Sequence, residues 1–157
     1  MTGPEMTLCE GSLADLDAVM NVMDDSFDPR FGEAWTASQC AGLLPLPGVW
    51  LTLARDEQRV VGFALARTVA DEAELLLLAV SRPMQGRGVG KMLLERFTQQ
   101  ARERGAARVH LEVREGNQAL SLYREANFTL VGRRRNYYSG HAGHTYDALT
   151  LAKSAHR

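Results

Sequence analysis

The segment Met84-Gln85-Gly86-Arg87-Gly88-Val89-Gly90-Lys91 places three glycines and two cations after an apolar run and at the start of a helical one. That context makes an anion site. The first N–H groups of a helix have no partner within it, and the helix dipole favours negative charge there. Glycine lets the backbone approach a phosphate closely, and Arg87 and Lys91 add charge. Two familiar phosphate loops do not fit. In the G-x-x-x-x-G-K-[ST] loop the residue five before Gly90 would be glycine, and it is Gln85; the residue after Lys91 is Met92. In the G-x-G-x-x-G fingerprint the third glycine position holds Lys91 or Leu93. A nucleotide hydrolase and a nicotinamide dehydrogenase are therefore disfavoured.

Glu112 lies inside Val109-His110-Leu111-Glu112-Val113, where alternation turns it, with His110, to the face opposite Leu111. It is either a base facing a cleft or a solvated or ion-paired strand carboxylate. Tyr123 is either a proton donor, since a phenol with pKa about 10 stays protonated at neutral pH, or an amphipathic core residue. His141 and His144 have no third ligand, and no metal is expected. Cys9 and Cys40 form no C-x-x-C pair and read as buried reduced thiols. Arg133, Arg134 and Arg135 alternate between faces, which makes a solvated or substrate-lining edge rather than a continuous RNA-binding patch. Tyr137 and Tyr138 either wall a peptide cleft or pack. Asp24, Asp25, Asp28 and Glu33 read as a solvated acidic turn.

The elements that must position these groups follow from periodicity. With 157 residues, 45% of them hydrophobic, and 24% charged, the chain is expected to form one domain over 1–157 with its own core. Lys+Arg 18 against Asp+Glu 19 gives a net charge of −1, a poor field for nucleic acid. No apolar run approaches a membrane span, and no secretory signal is apparent, so a cytoplasmic protein with no membrane partner is expected. A strand is expected at 6–9. A helix capped by Ser12 and Asp15 follows, with Leu13, Leu16, Val19, Met20, Met23 and Phe27 on its core stripe. Thr36 and Gln39 cap a second helix reaching about Leu44. Strands at 49–55, 60–69 and 74–80 are joined by short polar turns and form an antiparallel meander. A helix at 89–104 carries Val89, Met92, Leu93, Phe97 and Ala101 on one face and ends at Gly105. A strand at 108–113, a helix at 117–126 and two last strands at 128–138 and 146–152 complete the order β-α-α-β-β-β-α-β-α-β-β. The strands at 74–80 and 108–113, joined by a helix, are expected to be parallel neighbours. The predicted class is α/β (α+β): a mixed, mostly antiparallel sheet of about seven strands with helices on both faces.

Gln85-Gly86-Arg87-Gly88-Val89-Gly90 resembles the Q/R-x-x-G-x-G/A loop of the Gcn5-related N-acetyltransferases (GNAT), and the element order is similar to that fold over the whole chain. Leu111-Glu112-Val113-Arg114-Glu115-Gly116-Asn117, Ala119-Leu120-Ser121-Leu122-Tyr123 and Arg133-Arg134-Arg135-Asn136-Tyr137-Tyr138 resemble segments of the ribosomal-protein alanine N-acetyltransferases, the RimI group. The segment from Asn117 to Tyr123 is one residue shorter than that group's spacing, and Asn127 stands where its members have Gly. Asn accepts positive φ better than most residues.

The resemblance implies an acetyl-CoA-dependent N-acetyltransferase with no metal. The acceptor it implies is the N-terminal α-amine of a protein, an alanine of the eighteenth small-subunit ribosomal protein, and the chain is expected to be a monomer or weak homodimer. It implies Glu112 as general base, directly or through water, and Tyr123 as general acid toward the leaving thiolate. It implies cofactor contacts from Leu78, Ala79, Val80, Gln85, Gly86, Arg87, Gly88, Val89, Gly90, Lys91 and Asn117. The backbone of Leu78, Ala79 and Val80 would pair with the pantetheine arm, and an N–H near Ala79 or Val80 would meet the oxyanion. The alternatives are an enzyme for a protein lysine or small-molecule amine, and a catalytically idle acyl-CoA-binding module.

Overall fold

The computed structural model describes residues 6–156. Strand β1 (Met6–Gly11) leads into a 3₁₀ turn, Leu13–Asp15, and helix α1 (Leu16–Ser26). Ser12 and Asp15 form the expected capping box, but it caps the 3₁₀ turn rather than α1 itself. Leu13 is consequently off the helix stripe and half exposed, while Val19, Val22 and Met23 are buried. A second 3₁₀ turn (Pro29–Phe31) precedes α2 (Ala37–Leu43), which starts at the predicted Thr36–Gln39 box.

Strands β2 (Val49–Asp56), β3 (Arg59–Val69) and β4 (Glu72–Val80) form the antiparallel meander. Helix α3 (Val89–Glu103) crosses over to β5 (Arg108–Arg114), which is parallel to β4. Helix α4 (Leu120–Glu125), β6 (Thr129–Ser139) and β7 (Thr145–Ser154) finish the described chain. Among the described residues the sheet has seven strands in the order β1-β2-β3-β4-β5-β7-β6, with β4–β5 its parallel pair. β7 lies between β5 and β6, so β6 is an edge strand.

Two apolar layers sandwich the sheet. One joins α3 and α4 to Trp50, Ala54, Leu75, Val109 and Leu111; the other joins α1 and α2 to Leu51, Leu53, Phe63 and Leu77. On α3 the buried face is Val89, Leu93, Leu94, Phe97, Thr98 and Ala101; Met92, expected on it, lies at its margin. α4 is shorter than the predicted 117–126 and starts at Leu120. Asn117 stays outside the helix, and its Oδ1 accepts the Ala119 N–H at 2.8 Å. Asn127 has φ 72°, so it fills the positive-φ turn after α4 as predicted.

β4 changes partners of its side chains midway. Ala73 and Leu75 join the α3 layer, whereas Leu77 and Ala79 join the α1 layer. Residues two apart share a face in a regular strand. The register explains the exception: Leu65 pairs with Leu77 but Ala66 pairs with Leu75, leaving Leu76 as an extra residue. Such a bulge bends its strand and disrupts pairing.

The loop 28–33 and the β6–β7 hairpin meet through two glycines. A methyl on Gly32 would overlap the Ser139 carbonyl oxygen, and one on Gly140 would overlap the Arg30 carbonyl oxygen and press on the Tyr146 ring. Gly140→Ala should therefore cost about 2 kcal/mol by overpacking and lower Tm by about 5 °C. Gly42→Ala, where a methyl meets nothing in α2, should raise stability by about 0.5–1 kcal/mol. Thermal and urea unfolding of the two variants check both signs.

Candidate active site

The bulge opens the sheet. β4 pairs with β5 through Glu72–Arg108, Ala73–Val109, Glu74–His110 and Leu75–Leu111, and there the pairing stops. β5 continues on its other side, pairing with β7 as far as Arg114–Ala148. Residues 76–80 of β4 and 112–114 of β5 thus diverge, and a cleft of about 1230 Å³ occupies the gap. The Ser81 N–H donates to the Val61 carbonyl. Antiparallel hydrogen bonds alternate along a strand, so the N–H groups of Leu78 and Val80 turn away from β3 toward the gap. By the same alternation the Ala79 N–H faces β3, and its side chain is buried.

The mouth of the gap is the glycine loop. Gly86 and Gly88 have φ of 79° and 84°, values that a side chain would strain, and neither would meet another atom with an added methyl. Gly88 caps α3, leaving the first N–H groups of a fifteen-residue helix pointing at the loop. Gln85 spends its side-chain amide on the Val80 carbonyl at 2.9 Å and its N–H on Arg82, so it braces the loop against the end of β4. Arg87 and Lys91 are exposed beside it. Open backbone donors, absent side chains and flanking cations fit a pyrophosphate, and the unpaired edge of β4 fits an amide-bearing arm leading away from it.

Glu112 and Tyr123 both line the cleft, as do Leu78, Val80, Val89, Gly90 and Asn117. Glu112 is largely buried and its Oε1 lies 3.1 Å from Arg134 Nε. The ion-paired reading of this carboxylate therefore holds, and the residue faces the cleft as well. Arg134 is well exposed and stacks on the Tyr137 ring, 5.3 Å from its centroid. Arg133 faces elsewhere, bridging Glu115 at 2.6 Å and Asp147 at 2.7 Å. Tyr123 is buried against Phe128, with ring centroids 6.1 Å apart. Burial, reinforced by the Glu33 and Tyr138 groups, pushes its phenol well above the ordinary value. Burial also raises Tyr138, with Glu33 and Glu112 adding to the effect.

Glu33 departs from its expected place in a solvated turn. Its carboxylate accepts from Arg114 Nε at 2.7 Å and from Asn117 Nδ2 at 2.7 Å, and its side chain is only 11% exposed. Arg114 in turn sits over the Phe31 ring at 3.8 Å and the Tyr146 ring at 5.6 Å. Asn117, expected at the cofactor, commits its amide to Glu33 and its carbonyl oxygen to Ala119. Two of the other three acids are also engaged: Asp28 binds Arg30, and Asp25 accepts the Arg82 N–H at 2.7 Å; Asp24 is exposed, as expected of a solvated turn. Nothing local singles out Glu33; its role depends on partners 81 and 84 residues away.

The sheet is thus split between two parallel strands, with a glycine-rich helix start at the mouth of the split. The acetyltransferase (GNAT) family model matches residues 16–128, and the chain belongs to that family. It is 39% identical over 97 residues to a [ribosomal protein bS18]-alanine N-acetyltransferase of Haemophilus influenzae. That match covers 62% of this chain and 66% of the relative, just under two thirds of the relative's length. It is 37% identical over 130 residues to the N-alpha-acetyltransferase RimI of Mycobacterium tuberculosis, covering 80% and 75% of the two chains. The crystal structure of the ribosomal-protein-S18-alanine N-acetyltransferase from Escherichia coli superposes with a TM-score of 0.87 at 28% identity, covering 96% of this chain and 94% of the other. Among the described residues, no helix is long and apolar enough to cross a membrane.

The raised phenols fix a pH dependence. A folded state that holds protons more tightly than the unfolded chain loses stability as pH rises above the unfolded value, here about 10. Stability should fall through that range, and at about pH 11 the folded protein should show fewer tyrosinates by ultraviolet absorbance than the urea-unfolded chain. Equal tyrosinate counts would contradict the burial of Tyr123 and Tyr138.

Proposed function

We propose that this chain transfers the acetyl group of acetyl-CoA to the N-terminal α-amine of a protein, with an N-terminal alanine of the eighteenth small-subunit ribosomal protein as the acceptor. The observation that carries the reading is the open edge of β4, which runs from the glycine loop to the gap that Glu112 and Tyr123 line. The pyrophosphate of acetyl-CoA rests on the loop at the start of α3, flanked by Arg87 and Lys91. The pantetheine arm follows the N–H groups of Leu78 and Val80 that face the gap, and a donor from the same stretch meets the thioester oxygen.

Acetyl transfer forms an N–C bond and breaks a C–S bond, so the amine loses a proton and sulfur gains one. Glu112 takes the amine's proton, directly or through water, once the arriving acceptor displaces Arg134 on its exposed edge strand. Tyr123 faces the departing sulfur. A thiol ionises at about 8.5, well below this buried phenol, so the phenolate would be the stronger base. Tyr123 therefore acts chiefly by hydrogen-bonding the departing sulfur, and the proton lost to Glu112 reaches it through water. An α-amine suits such a site better than lysine. Its pKa is about 7.7–8.0 against about 10.4, a difference of about 3.5 kcal/mol in forming the neutral nucleophile.

Two peptides test the acceptor. One has a free N-terminal alanine, a basic stretch and no lysine; the other has a blocked N-terminus and an internal lysine. Acetylation of the first alone, read by mass and thiol release, is the expected result, and acetylation of the second alone would overturn it. Glu112→Gln and Tyr123→Phe should each lower kcat by about 10²-fold with acetyl-CoA KM little changed. Unchanged kcat in both would defeat the mechanism while leaving the fold intact.

A further inference from the structure

Glu33 is a carboxylate that the proposed chemistry does not use. It lies on the far side of the cleft from the glycine loop, just after the 3₁₀ turn Pro29–Phe31. Its two oxygens face different elements. Oε1 holds Arg114, the last residue of β5 and two beyond Glu112. Oε2 holds the amide of Asn117, whose side-chain oxygen accepts the N–H of Ala119, the residue just before α4. The Leu120 N–H also donates to the Asn117 carbonyl at 3.1 Å, and the Tyr123 N–H donates to the Ala119 carbonyl at 3.1 Å. A continuous chain of hydrogen bonds thus runs from Glu33 through Asn117 and Ala119 to Tyr123.

α4 has six residues and is too short to hold its own direction. Its orientation depends on its burial through Leu120 and Tyr123 and on what grips its N-terminal end. That grip is Asn117, and Asn117 is fixed by Glu33. Both bonds at Glu33 are 2.7 Å, as charge-assisted bonds are. Glu33 itself cannot drift, because Arg114 is wedged against the Phe31 and Tyr146 rings. The negative charge also faces the phenol and helps keep it in its donor form.

We propose that Glu33 is a positioning residue for Tyr123, acting through Asn117 to set where the phenol meets the departing sulfur. This rests on the reading of Tyr123 given above. Glu33→Gln keeps an oxygen for Arg114 but cannot accept from both partners. It should lower kcat by about tenfold, with acetyl-CoA KM little changed. In a Tyr123→Phe background the same substitution should cost less than about twofold, because residues acting as one unit are not additive.

Removing the Glu33 charge also strands the enclosed Arg114, so a second variant leaves that pair intact. Asn117→Ser keeps a hydroxyl for the Ala119 N–H but cannot reach Glu33, and it should reproduce the fall in kcat. An undiminished tenfold loss in the Tyr123→Phe background, or full activity of Asn117→Ser, would overturn the proposal. Tyr123→Phe at wild-type kcat would instead remove the role of Tyr123 itself, and this proposal with it, so the two failures are told apart by the single variant.

Discussion

One extra residue, Leu76, governs the layout of this molecule. Without it β4 and β5 would stay paired along their lengths, and the sheet would present no interior edge. Leu76 bends β4 out of the ladder after Leu75, so that backbone groups of the next residues point into a gap instead of at a partner strand. An unpaired strand edge is ordinarily a hazard for aggregation. Here it lies within a cleft, where an extended ligand arm can complete it. The bulge also hands Leu77 and Ala79 to the α1 layer, so the second apolar layer exists in its present form because of the same irregularity.

Charge is used on the two walls in different ways. The glycine loop carries its positive character in backbone N–H groups and in exposed Arg87 and Lys91, which cost little to keep in water and are free to meet an anion. The opposite wall keeps its charges in pairs. Arg114 pairs with Glu33 and Glu112 pairs with Arg134, while Arg133 turns away to Glu115 and Asp147. Of these, the Arg114–Glu33 pair is the most enclosed, and losing one partner there would leave the other stranded. The Arg134–Glu112 pair is half in water and can exchange partners at small cost.

Local signals were legible in the sequence and distant ones were not. The Ser12–Asp15 and Thr36–Gln39 boxes, the positive φ at Asn127 and the meander from 49 to 80 all follow from residues within a few positions of one another. The parallel pairing of β4 and β5 followed from the helix between them. What could not be read depends on tertiary partners. Glu33 looks like any acid in a polar turn until Arg114 and Asn117 arrive from the other end of the chain. Asn117 looks like a helical residue until its side chain is seen to hold the Ala119 N–H ahead of the helix. Leu13 fits the helical stripe by spacing, but the cap winds a tighter turn beneath it and leaves it in water.

The reciprocal glycines Gly32 and Gly140 make the loop 28–33 and the β6–β7 hairpin fit like a tongue in a groove, each shaped to the other's main chain. Such parts cannot be exchanged singly. A chimaera that took one of these loops from a relative, in order to admit a different acceptor, would meet a carbonyl where it needed space. The two segments are sterically coupled, and a graft on this side of the molecule has to transplant both at once.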